Sequence, residues 1–187
     1  MNYTNIWEMV EKMGTEVKDG ITWKHIFWTN HRDAIQLDEE ACGGRCEIKM
    51  ISEIKGIKEI QNLVDQMIAY KFYSIDILKP FILENNGGLY LDCDFFLERS
   101  ISKLHILMDS YTGSEGNHWP GLAAGIVGAR PWHPIITVWK DFLLEYYGFR
   151  PGVWGAQEVM PIPAFRNDIS GTSGPRVCTF AFWVGIQ

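Results

Sequence analysis

The chain is short of basic charge. Its 187 residues carry 17 Lys and Arg against 23 Asp and Glu, a formal charge of −6. A protein without a basic excess has little to exchange for the counterions of a nucleic-acid backbone, so nucleic acid is excluded as a partner. There is also no run of 18 apolar residues and no early basic segment leading into an apolar stretch. Neither a membrane span nor a leader peptide is therefore expected, and a cytoplasmic protein is the expectation. Cysteine is sparse, at positions 42, 46, 93 and 178. Cys42-Gly-Gly-Arg-Cys46 lacks a second Cys/His pair at the spacing that would complete a zinc site, so all four are read as reduced thiols. Repeats and linkers are missing too, which predicts one domain over 1–187. The apolar stretch running to Gln187 points to a chain cut from a longer protein. With 47% hydrophobic and 21% charged residues, the composition excludes a disordered chain.

What is present centres on residues 84–97, Glu-Asn-Asn-Gly-Gly-Leu-Tyr-Leu-Asp-Cys-Asp-Phe-Phe-Leu. Gly87-Gly88 reads as a turn and Leu89-Tyr90-Leu91 as a buried strand. Side chains alternate along a strand, so Asp92 and Asp94 point one way and Cys93 the other. Two carboxylates this close repel unless something positive lies between them. A hard divalent cation that prefers oxygen ligands is the natural candidate.

The rest of the chain alternates helical and strand signals. Residues 3–18 have helical spacing, and 21–29 are β-branched and aromatic, a first strand ending at the polar cluster Asn30-His31-Arg32-Asp33. Open α/β sheets place ligand contacts at such strand ends, although Asn30 could equally cap a helix. A short helix over 33–41, a strand over 46–51 and a helix over 57–69 follow. Ile77, Leu78, Phe81 and Ile82 form an apolar face with Asp76 among them, where a free carboxylate is costly unless it meets a donor or a ligand. Pro80 predicts a kink, or a helix starting near Lys79. Leu104–Met108 reads as a strand and 109–120 as a loop. The small-residue run 121–129 reads as a strand that something approaches closely. A helix is predicted over 135–147, stopped by Gly148.

Three chemistries suit two aspartates after a strand. A phosphatase-like nucleophile pair wants a Thr two residues after the second Asp, and Phe96 stands there. A metal-bridged nucleotide-sugar site uses the pair to neutralise a diphosphate leaving group. A structural or binding module uses them as polar surface only.

Ser74-Ile-Asp76-Ile-Leu-Lys79, followed by Asn86-Gly-Gly-Leu-Tyr90-Leu-Asp92-Cys-Asp94, resembles the glycosyltransferases whose sugar-binding region contains a D-x-D motif. These include mannosyl- and capsular-polysaccharide-type transferases and, more distantly, the glucosylating domains of large bacterial toxins. The sixteen-residue separation of Asp76 from Asp92 is similar to theirs, as are His25-Ile-Phe-Trp28, the stretch Ala124–Pro134 and Thr172-Ser-Gly-Pro175. The resemblance implies a single-domain α/β fold with a Rossmann-like nucleotide-binding half and a mixed central sheet. It implies a metal-dependent glycosyltransferase taking a UDP- or GDP-sugar and passing the sugar to a hydroxyl of a glycan or glycoprotein. The alternative is a catalytically silent nucleotide-sugar or glycan-binding module of a larger protein. By resemblance Trp28, Thr29 and Asn30 line the nucleotide pocket, and Asp76, Lys79 and Tyr90 join Asp92 in the donor-binding set. Asp92 and Asp94 hold Mn2+ or Mg2+ and carry the catalytic role, with Asp94 the more direct ligand. Lys79 replaces the family's Arg, which reduces a bidentate contact to a point charge. On the acceptor side Glu158, Asp168 and Asp141 are nominal bases. Residues 154–158 read as a flap over the site, and His133 as structural.

Overall fold

The computed structural model describes residues 22–61, 74–92, 97–115 and 121–146, together with Trp7, Glu8, Val10, Glu11, Val64 and Phe95. Of the helix expected over 3–18, the four described positions are helical, and Val10 is fully buried.

The first strand, β1 (His25–Thr29), pairs in parallel with β2 (Cys46–Met50), from His25 opposite Cys46 to Thr29 opposite Met50. Because β2 is five residues long, only 25–29 of the apolar stretch 21–29 find ladder partners. Parallel strands need a crossover. Here it is a 3-10 turn at Arg32–Ala34 and one α-turn, α1 (Glu39–Cys42), in place of the single helix expected over 33–41. The chain is extended at Ile35, so a helix restarts only at Asp38, whose carboxylate accepts the Ala41 N–H at 3.0 Å. Gly43 and Gly44, at φ +50° and +74°, end α1 in the left-handed region. A Cys42–Cys46 disulfide joins the end of α1 to the start of β2. This corrects the reading of all four cysteines as thiols. The two sulfurs meet because the glycine pair turns the chain back on itself, a local closure that the count of cysteines does not reveal.

A further helix, α2 (Ser74–Asn86), continues through Pro80, correcting the expected start near Lys79. Proline has no N–H to offer the carbonyl of Asp76, four residues back, but α2 buries Ile77, Leu78, Phe81, Ile82 and Leu83, and that burial outweighs one lost hydrogen bond. The amides of Asn85 and Asn86 donate to the carbonyls of Phe81 and Ile82, closing the last turn. Gly87, at φ +60°, donates to Leu83 O and turns the chain into β3 (Gly88–Leu91).

Antiparallel pairing sets β5 (Gly121–Ala129) between β3 and β4 (Ser110–Glu115). The strand at 121–129 is as expected, but 110–115 was expected as loop. Ser-Tyr-Thr-Gly-Ser-Glu has no apolar period, and its pairing with β5 makes it a strand. A bulge falls between Thr112 and Gly113, and the Thr112 hydroxyl donates to Ala123 O at 2.7 Å across it. Leu104–Met108, expected as strand, lies mostly in the short helix α3 (Ser102–Leu107) and leaves Leu104, Ile106, Leu107 and Met108 exposed. The last described helix, α4 (Pro134–Tyr146), matches the expected 135–147 and packs on α2, with Trp139 fully buried in the shared core. A buried Lys140–Glu84 ion pair joins the two helices. The fold is mixed α/β. Its described strands form a parallel pair and an antiparallel triple, where one mixed sheet was expected.

Candidate functional site

The site forms where α2 begins and β3 ends. From Asp76 to Asn86 the helix advances about 15 Å, at about 1.5 Å per residue. After the Gly87-Gly88 turn, β3 returns about 13 Å at about 3.3 Å per residue. Helix out and strand back therefore nearly cancel, and Asp92 arrives beside Asp76 across sixteen positions of sequence. The strand stops at Leu91, one residue before Asp92, and Cys93 and Asp94, which complete the expected alternation, lie outside the described residues. Asp92 instead takes its bearing from two backbone bonds. Its N–H donates to Gly125 O at 2.9 Å, and its carbonyl accepts the Phe95 N–H at 3.1 Å.

Lys79 lies between the two acids. Its ammonium is 2.5 Å from Asp76 Oδ1 and 3.1 and 3.2 Å from Asp92 Oδ1 and Oδ2. The Tyr90 ring lies 5.1 Å from the same nitrogen. The Lys79 side chain is 2% exposed, that of Asp76 17% and that of Asp92 31%. A buried ammonium is costly unless compensated, and here two carboxylates and a ring face compensate it. Asp76 thus finds the donor its apolar surroundings demand. One ammonium against two carboxylates leaves the trio one negative charge in excess.

The small-residue strand β5 supplies the floor. A Cβ at Gly125 would stand 2.8 Å from Asp92 Oδ2 and 2.5 Å from Phe95 Cε2, so only glycine leaves room for both. This is the close approach the run 121–129 predicted, although its content, the Asp92 carboxylate itself, was not legible. At Gly128 the ring of Tyr111 occupies the corresponding place.

The residues are suited to a hard cation in kind. Asp92 is an oxygen ligand whose side chain is 31% exposed, and a carboxylate has about four lone-pair positions, more than the Lys79 ammonium takes up. Among the described residues no group of three or more His, Cys, Asp or Glu gathers to complete a cage. Asp94, the second acid of the motif, lies outside the described residues, as do Glu158, Asp168, the 154–158 stretch, Phe96 and Thr172–Pro175.

At the end of β1, Trp28 packs against the same core as Tyr90, with Lys49 Nζ 5.7 Å from its ring. Thr29 Oγ1 accepts the His31 N–H at 3.0 Å and donates to His31 O at 3.1 Å, folding the strand end into a tight turn. Asn30 is exposed, and His31, not Asn30, occupies the cap of the 3-10 turn. His133 has the structural role expected of it. Its Nδ1 accepts the Ile135 N–H at 3.3 Å and its carbonyl accepts from Ile136 and Thr137, starting α4. Burial, with the Arg130 charge nearby, lowers its pKa and favours the neutral ring that such a cap requires. Asp141 is half-buried on α4.

The family model described as "Glycosyltransferase sugar-binding region containing DXD motif" matches residues 6–112, more than half of the chain. Among solved structures, one titled "PaToxG Glycosyltransferase" superposes with a TM-score of 0.56 at 17% identity, covering 79% of this chain and 51% of that one. At that identity the likeness is one of fold, and this chain spans about half the length of that neighbour. A comparison with curated protein sequences found no match.

Proposed function

Since the chain belongs to the glycosyltransferases with a sugar-binding region containing a DXD motif, we propose that it moves a sugar from a UDP- or GDP-sugar to a hydroxyl of a glycan or glycoprotein, with Mn2+ or Mg2+ held by Asp92 and Asp94. The observation that carries this reading is the convergence of Asp76 and Asp92 on one buried ammonium within the family-matched stretch. An acid next to the D-x-D acids is suited to ribose or sugar hydroxyls, which donate hydrogen bonds to carboxylates. Asp76 takes that role. Trp28, Thr29 and Asn30, at the carboxyl end of β1, receive the nucleotide, and the β1–β2 parallel pair is the start of a Rossmann-like half in a single transferase domain. When bound, a divalent ion supplies Lewis-acid stabilisation to the departing diphosphate. The protein's own part is to hold two carboxylates at fixed bearings and to seat the donor's hydroxyls and base.

The test is a screen of UDP- and GDP-sugar hydrolysis in Mn2+, with Asp94→Ala as the comparison. The variant is expected to lose donor hydrolysis while keeping its circular dichroism and melting temperature, and undiminished turnover sinks the reading. A second reading, a silent donor-binding module, is favoured by one observation: Lys79 already engages both oxygens of Asp92. Donor binding in calorimetry without turnover in the same screen would select it.

A further inference from the structure

We propose that Lys79 is a positioning residue, a built-in cation that sets the Asp92 carboxylate before any donor arrives. The proposal rests on the transferase reading above. Lysine is rarely buried without partners, yet Lys79 is 1% exposed in the first turns of α2, beside the buried Ile77 and Leu78. Its three N–H donors face a matching set of acceptors, with Asp76 Oδ1 on one side and both oxygens of Asp92 on the other. A nitrogen nearly equidistant from the two Asp92 oxygens, at 3.1 and 3.2 Å, fixes the direction in which that carboxylate opens. The Gly125 backbone packs close to Asp92 Oδ2, and the Tyr90 ring of β3 lies against the ammonium. A compact ammonium suits a place between two acids, and its head, turned inward, is spent on them.

This arrangement has an electrostatic consequence that packing alone lacks. The charge that orients Asp92 also repels any divalent cation approaching it. Lys79 therefore weakens metal binding and promotes turnover, and removing it moves the two quantities in opposite directions.

The experiment compares wild type, Lys79→Met and Lys79→Arg by two readouts. Manganese alone is titrated against each protein, with the free ion followed by electron paramagnetic resonance. Steady-state hydrolysis of UDP- and GDP-sugars gives kcat and KM. In Lys79→Met, Mn2+ binding is expected to tighten about fivefold, since a unit positive charge a few ångströms away is gone. Its kcat is expected to fall about 100-fold, with KM changing far less, as Asp92 loses its bearing. Lys79→Arg is expected to return kcat to within about tenfold of wild type and to restore the weaker Mn2+ binding. Wild-type kcat in Lys79→Met overturns the proposal. So do Mn2+ affinity and kcat falling together without recovery in Lys79→Arg, the signature of lost packing. If Lys79→Met fails to fold, Lys79→Gln is judged by the same criteria, its amide still donating to one carboxylate. A wild-type chain that hydrolyses no donor overturns the transferase reading instead, and the Mn2+ titration then decides the role of Lys79.

Discussion

At Gly125 the absence of a side chain is what lets Asp92 and Phe95 settle against β5. A Gly125→Ala variant is expected to displace both. Overpacking of this kind costs about 1–3 kcal/mol, and an Asp92 carboxylate pushed off its bearing is expected to lower donor hydrolysis about 10- to 100-fold. Urea unfolding and steady-state kinetics read the two effects separately, and a variant matching wild type in both contradicts the close approach. His25 carries a different residue-level consequence. Burial, joined by the nearby Arg45 charge, pushes its imidazole down to about 4, from an ordinary value of 6.5. The folded state therefore resists a proton that the unfolded chain accepts. His25 contributes stability fully present above about pH 6.5 and lost as pH falls toward about 4. Partial solvent screening holds the contribution to about 1–2 kcal/mol. His25→Gln is expected to flatten the fall in melting temperature between pH 6.5 and pH 4.5, and an unchanged slope contradicts the assignment.

Among the elements, α2 and α4 carry the core, and the Lys140–Glu84 pair crosses between them with its side chains 13% and 4% exposed. Removing one partner leaves a buried charge without compensation. Lys140→Met alone is expected to cost about 3–5 kcal/mol, and the Glu84→Met/Lys140→Met double variant to recover most of it. Chemical denaturation of the four chains of that cycle measures the coupling. The same two helices show which parts of the architecture local sequence encodes. The apolar period of α4 and the Gly87-Gly88 turn after α2 are written in adjacent residues, and both were legible. The path of α2 through Pro80 was not, because the burial that outweighs a lost hydrogen bond comes from neighbours remote in sequence.

As a whole, the molecule is expected to respond to a donor as one cooperative unit. Mn2+ with UDP or GDP at about 100 times its dissociation constant stabilises the folded state by about 2.7 kcal/mol. For a chain of this size that raises the melting temperature by about 5–10 °C. No shift with either nucleotide argues for the polar-surface reading of the Asp pair. By itself the sequence determined that the Asp92/Asp94 pair calls for a positive charge, that Asp76 needs a donor or a ligand, that Gly87-Gly88 is a turn feeding a strand, that 121–129 is approached closely, and that the motif spacing is that of its family. Each of these rests on side-chain period, turn chemistry or the cost of a bare charge, all readable within a few residues. Only the tertiary structure decided that the positive partner among the described residues is Lys79, since equal lengths of helix and strand are what return Asp92 to it. The tertiary structure likewise made a strand of Ser110–Glu115 and a helix of Ser102–Leu107. Neither segment carries its own period, and each takes its form from what it packs or pairs against.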